Sequence, residues 1–268
     1  MQELLQLFSY DFFQKAFLSA ILASISCGIV GTYIVSRRIV FISGGITHAS
    51  FGGIGLAFFL GFSPVLGAVI FAVVAALGIQ FFTHKGNLRE DSSIAIWWSF
   101  GMALGIIFTF ITPGYTPNLM SFLFGNILTV STAEIWMMLS LDLLVVLFFG
   151  LFYRQILYIA FDEEFARAAQ LPVTLYNYLL IVIIALTVVF NIRVVGIILI
   201  LSLLTLPQAT ANLFTRDFKS MILLSTFFAF VGTMSGLLIS YFADIPSGAA
   251  IIFTMIVIFG ILRLIRCF

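Results

Sequence analysis

Nine apolar stretches, each close to membrane-spanning length, constrain this chain more than any other feature: roughly 12–35, 39–62, 64–82, 93–112, 132–152, 174–191, 194–213, 220–241 and 247–264. A helix rises about 1.5 Å per residue, so about 20 apolar residues cross a hydrocarbon core of about 30 Å. Lipid offers no partner for backbone N–H and C=O groups, so apolar runs of this length cross as helices. Charged residues make up 9 % of the chain, against about 25 % in a soluble domain. The expectation is an all-α polytopic integral membrane protein, one transmembrane domain over 1–268 with about eight or nine crossings. The sixth and seventh stretches form one run that breaks near Asn191-Ile192-Arg193, which leaves the count at eight or nine. Between the fourth and fifth lies PGYTPNLMSFLFGNILTV, residues 113–130. Its apolar part is too short to span, and it predicts a short re-entrant or interfacial helix.

The basic residues orient the chain. Arg37, Arg38, Lys85, Arg89, Arg154, Arg167, Arg216, Lys219, Arg263 and Arg266 fall on one side if the stretches alternate; only Lys15 and Arg193 fall on the other. The positive-inside rule makes the first side cytoplasmic. The N-terminus is then external and the C-terminus cytoplasmic. No basic segment precedes the first apolar run and no small-residue cleavage site follows it, so that run reads as a retained helix. Cys27 and Cys267 have no metal-finger spacing and are not expected to pair.

His48, one of two histidines, lies in ISGGITHAS. It falls about 14 Å into the second stretch, near the bilayer midplane. Gly44 and Gly52 share its face at four-residue steps, while Gly45, Ala49 and Gly53 form the adjacent stripe. Such small residues let neighbouring backbones approach and serve helix packing. They also leave space beside the imidazole. A neutral imidazole binds Zn, Mn or Fe ions, so His48 is a candidate metal ligand. The competing reading is a packing histidine bonded to a neighbour's carbonyl.

FDEEFARAAQLPV, residues 161–173, occupies the longest cytoplasmic loop. Asp162, Glu163 and Glu164 suit a helix N-terminus, and Pro172 cannot continue the helix. Phe165, Ala168 and Ala169 predict an apolar face, with Arg167 elsewhere: a short helix that a partner could grip. Pro207 in LLTLPQATAN removes a hydrogen bond inside the seventh stretch, and a hinge there is one reading, a static kink the other. The chain has no P-loop, no GxSxG elbow, no HExxH and no soluble domain. ATP-driven transport would therefore need a separate ATPase. Nothing in the composition points to nucleic acid.

These residues resemble the permease subunits of bacterial zinc/manganese/iron ABC importers. The resemblance runs through VSRRIVFISGGITHASFGGIGLAF, EDSSIAIWWSFGMALGI, NLMSFLFGNILTVS, DEEFARAAQLP, VVGIILILSLLTLPQATA and YFADIPSGAAI, in order along nearly the whole chain. It implies a non-enzymatic transport subunit without a resident cofactor, whose cargo is zinc, manganese or iron. Its implied partners are a cytoplasmic ABC ATPase, a second permease copy or sister permease, and an extracytoplasmic metal-binding protein. His48 corresponds to the family's embedded metal-ligand histidine. Glu163, Glu164, Phe165, Ala166, Arg167, Ala168, Ala169 and Gln170 correspond to its coupling helix. The chain departs from the pattern in three places. Gly44 stands where the family usually has Asp, Asn126 where it has Asp, and Gln170 where it has Gly. Asp142, mid-segment in MMLSLDLLVVLF with Met138 and Glu134 on its face, is a candidate for the missing carboxylate; its other reading is an interhelical hydrogen bond. Cys27, placed at a depth similar to His48 if the first two helices are antiparallel, is a candidate thiolate ligand or a small buried residue. The alternatives to metal-ion import are a metal-chelate permease for a siderophore or corrinoid, and a secondary transporter relaying through Asp142 and Glu134. An intramembrane enzyme would need a nucleophile beside His48 that no motif supplies.

Overall fold

The structure, a computed structural model, describes residues 9–113, 125 and 127–267. Its helices are α1 (Asp11–Ser36), α2 (Val40–Leu60), α3 (Pro64–His84), α4 (Glu90–Ile111), α5 (Thr132–Leu151), α6 (Tyr153–Phe161), α7 (Glu163–Ala168), α8 (Val173–Val195), α9 (Ile197–Leu203), α10 (Leu206–Ala211), α11 (Phe218–Ala243) and α12 (Ser247–Cys267). Eight of them are long and apolar enough to cross a membrane: α1–α5, α8, α11 and α12. The interfacial helix expected within 113–130 falls largely outside the described residues; Ile127–Thr129 form one 3₁₀ turn.

The seventh apolar stretch departs from the expected single helix. It is the pair α9–α10, which together extend only from Ile197 to Ala211. The chain breaks at Gly196, a few residues beyond the expected 191–193. Its φ of 83° is one that side chains with a Cβ rarely adopt. A second break at Leu204–Thr205 separates α9 from α10. Pro207 therefore sits in the first turn of α10, not inside a continuous helix. A first-turn proline loses no intrahelical hydrogen bond, so the expected helix-interior defect does not arise.

Packing divides the chain into two units. One holds α1, α5, α9–α12 and the last turns of α8. Tyr33 meets Phe149 edge-on, and Asp142 faces Ser26, so α5 runs parallel to α1. Gly28 abuts Thr226, and the Thr32 hydroxyl donates to the Ser225 hydroxyl at 3.4 Å, whereas Phe17 meets Phe230. Rising numbers on α1 thus match falling numbers on α11, and the two are antiparallel. Gly232 against Met255 and Gly236 against Ile251 make α12 antiparallel to α11. The ends of α1, α5 and α12 and the start of α11 therefore share one end of the unit. The Gln208 side chain, fully buried, donates to the carbonyls of Cys27 at 2.8 Å and Leu203 at 3.3 Å. These bonds hold the broken segment where its backbone is not self-satisfied.

The other unit holds α2–α4, α6, α7 and α8 as far as Val189. Small residues govern its helix contacts. Gly52 and Gly55 of α2 abut Gly101 and Gly105 of α4, with Gly45 against Ile94, so the two helices run parallel. Gly53 abuts Gly67 of α3. A Cβ on Gly52 would lie 2.8 Å from the Gly101 carbonyl oxygen, closer than two such atoms can pack. Backbone-to-backbone contact of this kind replaces the hydrophobic driving force that lipid does not supply.

Candidate functional site

His48 is the ninth residue of α2 and Trp98 the ninth of α4. Parallel helices starting at the same level bring them to the same depth, and their rings stack 4.3 Å apart with 7° between planes. The imidazole is half-buried. Its Nδ1 is buried and has no hydrogen-bond partner among the described residues. A buried nitrogen left unpaired costs about 1–3 kcal/mol. The expected space along the glycine face is not there. Gly45, Gly52 and Gly53 are filled by Ile94, Gly101 and Gly67, and the Ala49 backbone by Gly101, because residues without side chains draw the neighbouring helices in. Open space lies beside Trp98 instead, in a cavity of about 240 Å³ bordered by Phe41, Asp91, Ile94, Ala95 and Trp98. Gly44, on the His48 face, is buried on α2.

Asp142 and Cys27 belong to the other unit. Asp142 is 5 % exposed, and neither carboxylate oxygen has a hydrogen-bond partner among the described residues although Ser26 faces it. An unpaired carboxylate at this depth costs a few kcal/mol, which a cation or a proton would offset. Asn191 donates to the Ser26 hydroxyl at 3.3 Å, beside Cys27, which is fully buried with a free thiol. Glu134 does not share this environment. It lies half-buried at the start of α5, where it accepts from the Ser131 amide and hydroxyl at 2.8 Å each. That is a capping box, so Glu134 helps to fix the start of its own helix. No group of three or more His, Cys, Asp or Glu side chains forms a preassembled metal cage among the described residues.

The 162–172 stretch contains the helix α7, Glu163–Ala168, with Asp162 before it and Ala169 after it. Asp162 caps it by accepting from the Phe165 amide at 2.9 Å. Its buried residue is Ala166, packed among Ile159, Val173, Leu171 and Tyr176. The expected apolar face, Phe165 with Ala168 and Ala169, points outward, as do Glu164, Arg167 and Gln170. Phe165 is 52 % exposed, so the apolar surface is presented rather than used internally. Gln170 has φ 59°, and the Leu171 amide reaches back to the Ala166 carbonyl at 3.1 Å. The helix ends in a left-handed residue, which explains why glycine suits this position and why glutamine there is strained by about 1–2 kcal/mol.

Arg37 was legible only as one more cytoplasmic charge. In the structure it donates through Nη1 to the Ile159 carbonyl at 2.7 Å, and through Nη1 and Nη2 to Glu163 at 3.1 Å. Arg167 holds the other Glu163 oxygen at 2.6 Å. Burial pushes the Glu163 carboxyl up, but the hydrogen bonds from Arg167 and Arg37 outweigh it and hold the carboxyl below its ordinary range. Arg37 lies three residues before α2, so α7 is tied to the start of the helix that carries His48. Two sequence-distant partners make such a link, and no local pattern announces it. Trp98 was findable: it stands as far into its helix as His48 does.

Among the described residues every regular element is helical and eight helices are long and apolar enough to cross a membrane, which defines a polytopic all-α membrane protein. The ABC 3 transport family matches residues 9–266, and the chain belongs to it. It is 36 % identical over 256 residues to the manganese transport system membrane protein MntC of Halalkalibacterium halodurans, covering 96 % of this chain and 88 % of that one. An uncharacterised membrane protein of Synechocystis is 39 % identical over 251 residues, covering 94 % and 89 %. The fold matches PsaBC from Streptococcus pneumoniae, solved in complex with a Fab, with a TM-score of 0.83 and 35 % identity over 94 % of this chain and 91 % of that chain. The chain is thus a transmembrane permease subunit of an ABC metal importer.

Proposed function

We infer that this permease moves manganese inward as half of a dimeric pathway, with zinc and iron as the competing ions. The observation that carries the reading is the His48 imidazole, stacked on Trp98 with a buried, unpartnered Nδ1, in a chain whose relative is a manganese permease. His48 holds the ion transiently. Few protein ligands favour quick release, and Gly44 in place of the family's Asp lowers the ligand count further. Asp142 is a second cation station within its own unit, and Cys27 a weaker candidate because its thiol is fully enclosed. A metal-binding protein outside delivers the ion. A cytoplasmic ABC ATPase grips Glu164, Phe165, Arg167, Ala168, Ala169 and Gln170, and a second permease copy or a sister permease completes the path. Hydrolysis belongs to that ATPase. A metal chelate would need wider space than the glycine-packed α2–α4 contact leaves. The test is uptake into proteoliposomes holding the permease, its ATPase and the binding protein. ATP-dependent manganese accumulation is expected, and accumulation by the permease alone would make it a secondary transporter instead.

The same reading puts the N-terminus outside and the C-terminus inside. The unit containing α1 supports it: Arg216, Lys219, Arg263 and Arg266 lie where α11 starts and α12 ends, the end at which α1 finishes. The short pair α9–α10 returns the chain to that end without a full-length helix. A single cysteine added after Phe268 is expected to resist a membrane-impermeant maleimide in intact cells and to react after lysis. Labelling in intact cells would invert the map.

A further inference from the structure

At the end of the first unit where α10 gives way to α11 and α12 finishes, a cavity of about 560 Å³ opens. Its lining includes Arg216, Arg263 and Arg266, with Asn212, Phe214 and Thr215, and no carboxylate. The three arginines come from a loop and from two successive turns of α12, so the fold, not the sequence, collects them. None of the three has an ion pair among the described residues. Asp217, the adjacent acid, is engaged elsewhere: it caps α11 by accepting from the Ser220 amide at 2.9 Å and hydroxyl at 2.8 Å. Lys219 adds a fourth cation nearby in sequence. Three guanidinium groups around one concavity repel one another, and an anion placed among them relieves that repulsion. The chemistry selects the anion. Guanidinium forks match the oxygens of a phosphate in paired hydrogen bonds, and the Asn212 and Thr215 side chains offer further donors. Phe214 supplies an apolar wall on which the Arg266 guanidinium lies 5.8 Å from the ring centroid, which fixes that charge toward the cavity.

The surroundings select the source. Leu223 and Phe227 on the first turns of α11, and Leu264 and Ile265 on the last turn of α12, are exposed apolar side chains at the same end. A phosphate held by the arginines would carry its acyl chains along that surface. Basic pockets between transmembrane helices at the cytoplasmic boundary take lipid headgroups in this way. We propose that the Arg216–Arg263–Arg266 cavity binds the phosphate group of an anionic membrane phospholipid. The occupied cavity ties the loop after the broken segment α9–α10 to the end of α12.

Thermal unfolding of the full chain in detergent tests this, with dioleoylphosphatidylglycerol or dioleoylphosphatidylcholine added at equal concentration. Phosphatidylglycerol is expected to raise the midpoint by about 3 °C or more over phosphatidylcholine. The variant R216Q/R263Q/R266Q should lose that difference, while R38Q/R89Q/R154Q, which removes the same charge from other exposed positions, should keep it. The phosphatidylcholine midpoint of each variant reports its folding, and R263Q alone, with about tenfold weaker lipid response, serves if the triple variant unfolds. An equal rise with inorganic phosphate would make the ligand free phosphate rather than lipid. Equal responses from both triple variants would overturn the site. So would an unchanged lipid response in R216Q/R263Q/R266Q accompanied by lost ATPase stimulation, which would give the arginines to a protein partner.

Discussion

Replacing His48 with alanine abolishes manganese uptake, by about a hundredfold or more, while the protein remains folded. The size follows from the number of alternatives. Weakening a residue that merely supports a metal ligand costs about 10- to 100-fold in affinity or activity, and in the proposed pathway His48 is the ligand itself. Substitutes are few: no group of three or more His, Cys, Asp or Glu side chains forms among the described residues, and Gly44 supplies no carboxylate. The folding cost is small because Nδ1 makes no hydrogen bond to lose. What goes is the stack on Trp98, worth about 0.5–1.5 kcal/mol, whereas the glycine contacts of α2 with α4 and α3 remain. Trp98→Ala separates the two roles. It removes the same stack and keeps the imidazole, so it should lower the unfolding midpoint as much as His48→Ala yet leave substantial uptake. The measurement is initial-rate uptake by the reconstituted complex, with the midpoint taken on the same preparations. Wild-type uptake in His48→Ala would reduce the imidazole to a packing group and move the ion elsewhere, with Asp142 the next position to mutate.

How much of this was written locally in the chain varies by residue. Helices α1–α5, α8, α11 and α12 were legible because a membrane reduces folding to length and apolarity. The break at Gly196 was displaced by a few residues, because Asn191 and Arg193 look like interruptions. Asn191 in fact pairs across to Ser26 from within α8, while the glycine that turns the chain sits in an unbroken apolar run. Around His48 the glycines were readable but their consequence was reversed. Small residues in a helix face do not leave a void when another glycine face, that of Gly101 and Gly105, is available to fill it. The outward face of α7 could be read as apolar, but which side it turned to solvent depended on Ala166 finding a socket formed by Ile159 and Val173. Long-range partners of this kind have no local period, and Arg37 with Glu163 is the clearest case.

Arg37→Ala, in turn, uncouples ATP hydrolysis from transport. The residue bonds α7 through Glu163 rather than through its outward-facing residues and lies about 11 positions before His48, yet it joins the two. Its guanidinium bonds the Ile159 carbonyl at the end of α6 and the Glu163 carboxylate in the first turn of α7. The chain then enters α2 at Val40. A push on α7 therefore reaches the start of the His48 helix through a charged, multiply bonded link. The Arg37 and Glu163 side chains are 23 % and 27 % exposed, so the link is partly shielded. Hydrogen bonds to charged groups are worth about 1.5–3 kcal/mol, and the glycine contacts of α2 with α4 and α3 do not involve Arg37, so the fold is expected to survive while the linkage goes slack. ATPase activity of the complex should stay within about twofold of wild type, and manganese moved per ATP should fall about tenfold or more. Glu163→Gln should do the same, and the double variant should add little to either single one, since all three break one link. Arg37→Lys keeps the charge but not the fork that spans a carbonyl and a carboxylate, so partial recovery at most is expected. The pH dependence has a definite sign. The Glu163 carboxyl is held below its ordinary range, so the contribution of the pair is full above that range and is lost as pH falls through the depressed value. Coupling through this pair should therefore be flat between about pH 6 and 8 and weaken only in acid. Normal coupling in Arg37→Ala would mean that the stroke reaches α2 by another contact, with the buried seat of Ala166 the remaining connection of α7 to its unit.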